Sequence, residues 1–142
     1  MKRFDVSTII GAPPSRVWEV ITSPELVKRY MPGTEVTTDW KVGSPIRWKG
    51  VLQDKVYESK GTITKVIPEQ LLEYTYFSST WRVEDAPGNY FTITYLLEKE
   101  REGTTVTLVV QGNILYDEME DELKLGWKTA LSRLATAAEE LQ

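Results

Sequence analysis

From Asp117 to Leu141 the chain keeps a single apolar stripe. At about 100° per residue, Met119, Leu123, Gly126, Trp127, Ala130, Leu131, Leu134, Ala137, Ala138 and Leu141 fall on one side, and most of the charges fall on the other. This predicts a long amphipathic helix. Asp117, Glu118, Glu120, Asp121 and Glu122 crowd its first turns, where the helix dipole favours negative charge, so the acidic cluster is most simply a helix start. A stripe that long needs an apolar surface to cover, and the rest of the chain must supply it.

That surface is predicted between about Thr34 and Asn113, where the apolar period switches to two and turn signals cut the chain into strand-sized pieces. Ile46, Trp48, Gly50 and Leu52 alternate with Arg47, Lys49 and Val51 after a turn at Val42-Gly43-Ser44-Pro45. Tyr57 to Ile67 carries Gly61 in mid-strand, which predicts a bulge or sharp curl there. Pro68-Glu69-Gln70 leads into Leu71 to Phe77, with Leu72, Tyr74 and Tyr76 on one face. Tyr90 to Glu98 and Thr104 to Gly112 form a hairpin around Arg101-Glu102-Gly103. The longest irregular stretch, Ser78 to Asn89, contains Trp81 and is the candidate for a mobile rim.

Ahead of this meander, Phe4, Val6, Thr8 and Ile10 alternate as a first strand ended by Gly11 and Pro13-Pro14. Two short helices are expected next. Pro14 suits a first helical turn before Val17, Trp18 and Ile21, and Ser23-Pro24-Glu25 reads as a capped start for Leu26, Val27 and Tyr30, closed by Pro32-Gly33. With no internal repeat, low-complexity segment or linker, residues 1–142 are expected to form one domain.

The order of elements predicts an α+β, helix-grip (START-like, Bet v-like) fold. In it a curved antiparallel sheet of six to seven strands wraps the long C-terminal helix, and two short helices follow strand 1. Particular residues narrow this further. They are Pro14-Ser15-Arg16-Val17-Trp18 running into Thr22-Ser23-Pro24-Glu25, Val42-Gly43 before the strand bearing Trp48, and Gly61-Thr62-Ile63 through Ile67-Pro68. Leu72-Glu73-Tyr74-Thr75-Tyr76, Gly103-Thr104-Thr105-Val106-Thr107-Leu108 and Gly126-Trp127 complete the set. Together they resemble the heat-shock-protein-90 ATPase activator-like branch of the START-like superfamily of polyketide cyclases, dehydrases and lipid-transport proteins, over nearly the whole chain. Tyr30 stands where many such relatives carry Trp, and Val109-Val110-Gln111-Gly112 lacks a His often seen there, so no role of that His carries over. The glycine-rich loop of the plant pathogenesis-related relatives is also absent.

Composition excludes several chemistries. With no Cys and no His, the chain has no thiolate nucleophile, no Cys-based metal site and no Ser-His-Asp triad. No cofactor and no metal is expected. A net charge of −4 gives no global attraction to nucleic acid, and no stretch approaches the roughly 20 apolar residues of a membrane span. The polar run after Met1-Lys2-Arg3-Phe4-Asp5 makes the cytoplasm the expected compartment.

Five Trp and seven Tyr put much of the apolar area into a few large rings. Taken singly, such rings on strands are ordinary core. Taken together, too many converge on one face to pack without gaps, and Gly126 leaves room beside Trp127. The expected pocket lining is Trp48, Leu52, Ile63, Tyr74, Tyr76, Trp81, Phe91, Val110, Leu123 and Trp127, with Thr92 as the alternative to Phe91, since a one-residue slip exchanges the faces. Tyr57, Tyr74 and Tyr76 are the candidates to orient a polar group of a ligand.

Three functions follow from these features. The first is binding of a small apolar or aromatic molecule, which the resemblance also implies, because the superfamily binds lipids, polyketides and other hydrophobic compounds. The second, implied by the family name, is contact with a chaperone whose ATPase it stimulates. The third is a cyclase- or dehydratase-type enzyme using Tyr or a buried carboxylate, for which Glu58 or Glu73 would have to face inward. A homodimer through the sheet edge or last helix is marked by no specific residue.

Overall fold

Seven strands make one antiparallel sheet among the described residues of the computed structural model, which are 2–52, 54–113 and 117–141, with the side chains of Leu52, Asp117 and Glu118 outside the description. The strands are β1 (Lys2–Ile10), β2 (Thr34–Thr37), β3 (Pro45–Leu52), β4 (Lys55–Ile67), β5 (Leu71–Ser78), β6 (Phe91–Glu100) and β7 (Gly103–Gly112). Helices α1 (Pro14–Thr22) and α2 (Pro24–Tyr30) lie between β1 and β2, and α3 (Asp117–Glu140) comes last. The sheet order is β1-β7-β6-β5-β4-β3-β2. Only β1 pairs out of sequence, running against β7 with Lys2 opposite Gly112 and Ile10 opposite Thr104. This is the helix-grip α+β arrangement expected from the order of elements.

Alternation along the strands decides which face is covered. In β1, Phe4, Val6 and Ile10 are buried while Ile9 is 76% exposed. In β6, Phe91, Ile93, Tyr95 and Leu97 are buried and Thr92 is half-buried, so Phe91 takes the inner position that the sequence left open. The expected curl in β4 is present, displaced from Gly61. The register shift falls between Ile63 and Lys65, making Thr64 the extra residue. Gly61 serves a close approach instead, for a Cβ there would sit 1.7 Å from the carbonyl oxygen of Thr75.

The helical elbow forms without the expected side-chain cap. The Ser23 side chain makes no capping hydrogen bond, and its backbone carbonyl accepts from Leu26 and Val27 at 3.0 and 2.8 Å. Pro24 at the first position and Glu25 in the first turn are enough to start α2. Gly33, at φ +76°, then turns the chain into β2, in the left-handed region that glycine enters freely.

Helix α3 packs against β1, α1 and α2. Its second half is tightly held, with Leu131, Leu134, Ala137 and Ala138 buried, Glu140 paired with Arg29, and Glu139 accepting from the Gly11 N–H at 2.8 Å. Along its first half, Leu123, Trp127 and Ala130 are only half-buried and face the middle strands across a gap. Glu120 there accepts from Lys2 at 3.2 Å and Lys124 at 3.4 Å, so part of the acidic start is paired as well as dipole-stabilised.

Candidate functional site

The gap between the first half of α3 and the middle of the sheet is a cavity of about 780 Å³. That is within the range of small-molecule sites, which run from about 300 to 1,000 Å³. Its floor is Trp48 from β3, Tyr74 and Tyr76 from β5, Phe91 and Ile93 from β6, and Val110 from β7. Its roof is Leu123, Gly126, Trp127 and Ala130, and nothing lies within 4 Å of where a Gly126 Cβ would stand. Tyr30, Met31 and Pro32 bound one side, Lys55, Val56 and Tyr57 the hairpin side, and Ser78, Thr80 and Trp81 another.

Eight of the ten residues expected to line a pocket meet in this cavity: Trp48, Tyr74, Tyr76, Trp81, Phe91, Val110, Leu123 and Trp127. Ile63 does not. It is fully buried in the core, opposite Tyr74. The side chain of Leu52 lies outside the described residues. Tyr30, Thr34, Val56 and Ile93 were not anticipated from the sequence. Ile93 carried a signal, being two residues from Phe91 on the same strand face, whereas Tyr30 reaches the cavity only because the helical elbow folds over the sheet.

The rings form a connected set. Trp48 lies 4.9 Å from Tyr74 and 5.0 Å from Tyr76, and Tyr76 lies 5.7 Å from Trp81, centroid to centroid. Trp81 is therefore tucked against the sheet end as well as lining the cavity, its ring tilted against that of Phe91 at 4.7 Å. The segment that carries it is anchored: Asp85 accepts from Lys60 at 2.5 Å and from the Tyr90 hydroxyl at 2.6 Å. Both Asp85 and Lys60 respond, the carboxyl held below its usual range mainly by the hydrogen bond from Lys60, and the amine raised mainly by the one to Asp85.

Most polar groups of the wall are satisfied within it. Tyr57 pairs with Thr34 at 3.0 Å, Tyr76 with Ser59 at 2.8 Å, and Ser78 with Thr80 at 2.8 Å. Gly50, opposite Tyr57, makes room for the first of these, since a Cβ there would meet the Tyr57 ring at 2.5 Å. Burial pushes the Tyr30 hydroxyl up to about 12, and pushes those of Tyr74 and Tyr95 well above the usual tyrosine value. These phenols are neutral hydrogen-bonding groups at any physiological pH.

The charged residues that touch the cavity, Lys55, Glu122 and Arg133, are all exposed and stand at its rim. Glu58 is exposed too, and Glu73 is on the outer face of the sheet, accepting from Thr64 at 2.9 Å and Thr94 at 3.0 Å. Neither supplies a buried acid to the interior. Among the described residues no group of three or more acidic side chains is placed to hold a metal ion.

Solved structures reproduce this architecture. A protein from Cytophaga hutchinsonii is 37% identical, with a TM-score of 0.83 over 98% of this chain and 94% of that one. The Aha1 dimer from Colwellia psychrerythraea shares the fold at 18% identity, with a TM-score of 0.78 over 99% of this chain and 98% of its own. DynU16, a protein of the dynemicin biosynthetic locus, does so at 21% identity and a TM-score of 0.81, over 99% of this chain but 48% of that one. No curated protein matches the sequence. A family model described as "Activator of Hsp90 ATPase homolog 1-like protein" matches residues 11–139, and the chain belongs to that family.

Proposed function

We propose that the chain binds a small, largely apolar and partly aromatic molecule in the cavity between the sheet and α3. The observation that carries this is a cavity of about 780 Å³ walled by rings, with its charges confined to the rim. A ligand of about 20 heavy atoms, at roughly 0.3 kcal/mol each, would bind with about 6 kcal/mol, a dissociation constant of some tens of micromolar. Native mass spectrometry of protein from its own source, followed by tryptophan quenching with apolar and aromatic compounds, tests this. Retained small molecule, or saturable quenching that Trp127→Ala abolishes, supports it. Absence of both at ligand concentrations near 400 μM, about ten times that dissociation constant, sinks it.

A second reading draws on the family description and on the dimeric Aha1 neighbour: stimulation of a chaperone ATPase through the surface. Leu125, 70% exposed on the side of α3 turned away from the cavity, gives that reading a place to start. Hsp90 ATPase rates with and without the protein, and with Leu125→Glu, decide it. A rate unchanged at saturating protein rejects it.

A further inference from the structure

Three tyrosines meet at the edge of the cavity floor. Tyr30 comes from the end of α2, Tyr74 from β5 and Tyr95 from β6, the last two with ring centroids 6.2 Å apart. Among the described residues, the Tyr95 hydroxyl is the one buried side-chain polar atom without a hydrogen-bond partner. The Tyr30 and Tyr74 hydroxyls are near enough to influence its ionisation, yet neither completes a bond of good geometry to it. A buried unpaired hydroxyl is costly, so one in a native core calls for an explanation. The contrast is local, because the hydroxyls of Tyr57, Tyr76 and Ser78 pair with those of Thr34, Ser59 and Thr80.

A second observation coincides with the first. A separate void of about 10 Å³ lies against the same three tyrosines, about the least space that holds one water-sized group. It shares Tyr30, Trp48 and Tyr74 with the large cavity and so sits directly behind its wall. Every residue around the void is uncharged. An anion placed there would be buried without a counter-charge.

We propose that Tyr30, Tyr74 and Tyr95 form a recognition site for a carbonyl oxygen on an uncharged, otherwise aromatic ligand. The proposal rests on the cavity being the ligand site. Proton counting selects a carbonyl. With the ligand bound, Tyr95 gives its one proton to a neighbouring phenol oxygen, and the Tyr30 and Tyr74 protons are left for an acceptor that brings no proton of its own, such as the two lone pairs of a carbonyl oxygen. Tyr30 and Tyr74 reach the cavity and donate to the ligand. Tyr95, absent from the cavity lining, is a positioning residue that orients them from behind.

The test compares 2-acetylnaphthalene with 2-ethylnaphthalene, two ligands of one skeleton that differ in the carbonyl. Both are titrated into the full chain and into Tyr30→Phe, Tyr74→Phe and Tyr95→Phe, and the carbonyl stretch of the bound ketone is read by infrared difference spectroscopy. We expect Tyr74→Phe and Tyr30→Phe each to weaken the ketone about three- to tenfold and leave the hydrocarbon within about twofold. The carbonyl band should move to lower wavenumber on the wild-type protein and move back in the variants. Tyr95→Phe should melt no lower than wild type, since it removes an unpaired hydroxyl, while it reduces the band shift. An unshifted band on wild-type protein, or equal losses for both ligands, overturns the carbonyl site and leaves the cavity reading standing. Failure of both ligands to bind overturns the cavity reading and this proposal with it.

Discussion

Trp127 stands edge-on to Tyr95, their ring centroids 6.1 Å apart and their planes at 87°. Among the described residues this is the only ring pair joining α3 to the sheet, and it props the first half of the helix above the floor. Truncating the indole removes an edge-to-face contact worth about 0.5–1.5 kcal/mol and widens a space that is already partly empty. Because Trp127 is only half-buried, Trp127→Ala should cost about 1–2 kcal/mol, below the range for a fully packed aromatic. A urea titration measures this. A loss above about 4 kcal/mol would mean that the indole is core and the gap closes around it.

Gly126 offers the cleaner way to separate cavity from core. It lies inside α3, where glycine is about 0.8–1 kcal/mol worse than alanine, and a Cβ there touches nothing. Gly126→Ala should therefore raise stability by about 0.5–1 kcal/mol. Gly126→Leu should fold equally well, put a branched side chain into the cavity, and lower ligand affinity at least tenfold. If Gly126→Leu binds apolar probes as the wild type does, the cavity is not where they go.

The two periodicities made the fold legible. The stripe on α3 and the alternation in β1, β3, β5, β6 and β7 follow from helix and strand geometry alone, and they bring Trp48, Tyr74, Phe91 and Trp127 to one interior. Alternation tells which face a residue is on, without telling what stands opposite it. Ile63 and Tyr74 are directly paired, yet only Tyr74 reaches the cavity, while Ile63 is closed off within the core. Tyr30 was beyond sequence reading for a related reason. Its place depends on the angle at which the α1–α2 elbow folds back, which the residues at Ser23-Pro24 permit without fixing. The displacement of the β4 bulge from Gly61 to Thr64 has the same character: the glycine signals a close contact, and Thr75 decides which kind.

The buried phenols give the molecule an alkaline signature. Burial pushes Tyr30 up to about 12, Tyr74 and Tyr95 well above the usual tyrosine value, and Tyr76 above it. Raised pKa values favour the neutral, folded form. Their contribution is fully present below pH 10 and is lost as the pH rises from there towards 12 and beyond, while the unfolded chain ionises first. For Tyr30 alone this amounts to about 1 kcal/mol of lost stability by pH 11. Absorbance at 295 nm should accordingly show several of the seven tyrosines still protonated at pH 11, released together on unfolding. A single titration of all seven near pH 10 would mean that the hydroxyls of Tyr30, Tyr74 and Tyr95 are open to water.

Asp85 is placed to control the rim. Its carboxylate holds Lys60 of β4 at 2.5 Å and Tyr90 at 2.6 Å, and so pins the segment bearing Trp81 across the end of the sheet. All of this is at the surface, where an ion pair contributes little to global stability. Asp85→Asn should leave the melting temperature nearly unchanged. Its effect should be local: faster amide exchange between residues 79 and 90, and faster ligand dissociation with association little altered. The carboxyl is held below its usual range, so the anchor is intact at neutral pH and fails only as the pH falls through that lowered value. Wild-type protein in acid should then exchange in this segment as Asp85→Asn does at neutral pH. Identical exchange in the two proteins at neutral pH would show that the ring contacts of Trp81, edge-on to Phe77 at 5.5 Å and tilted against Phe91 at 4.7 Å, hold the rim without the carboxylate.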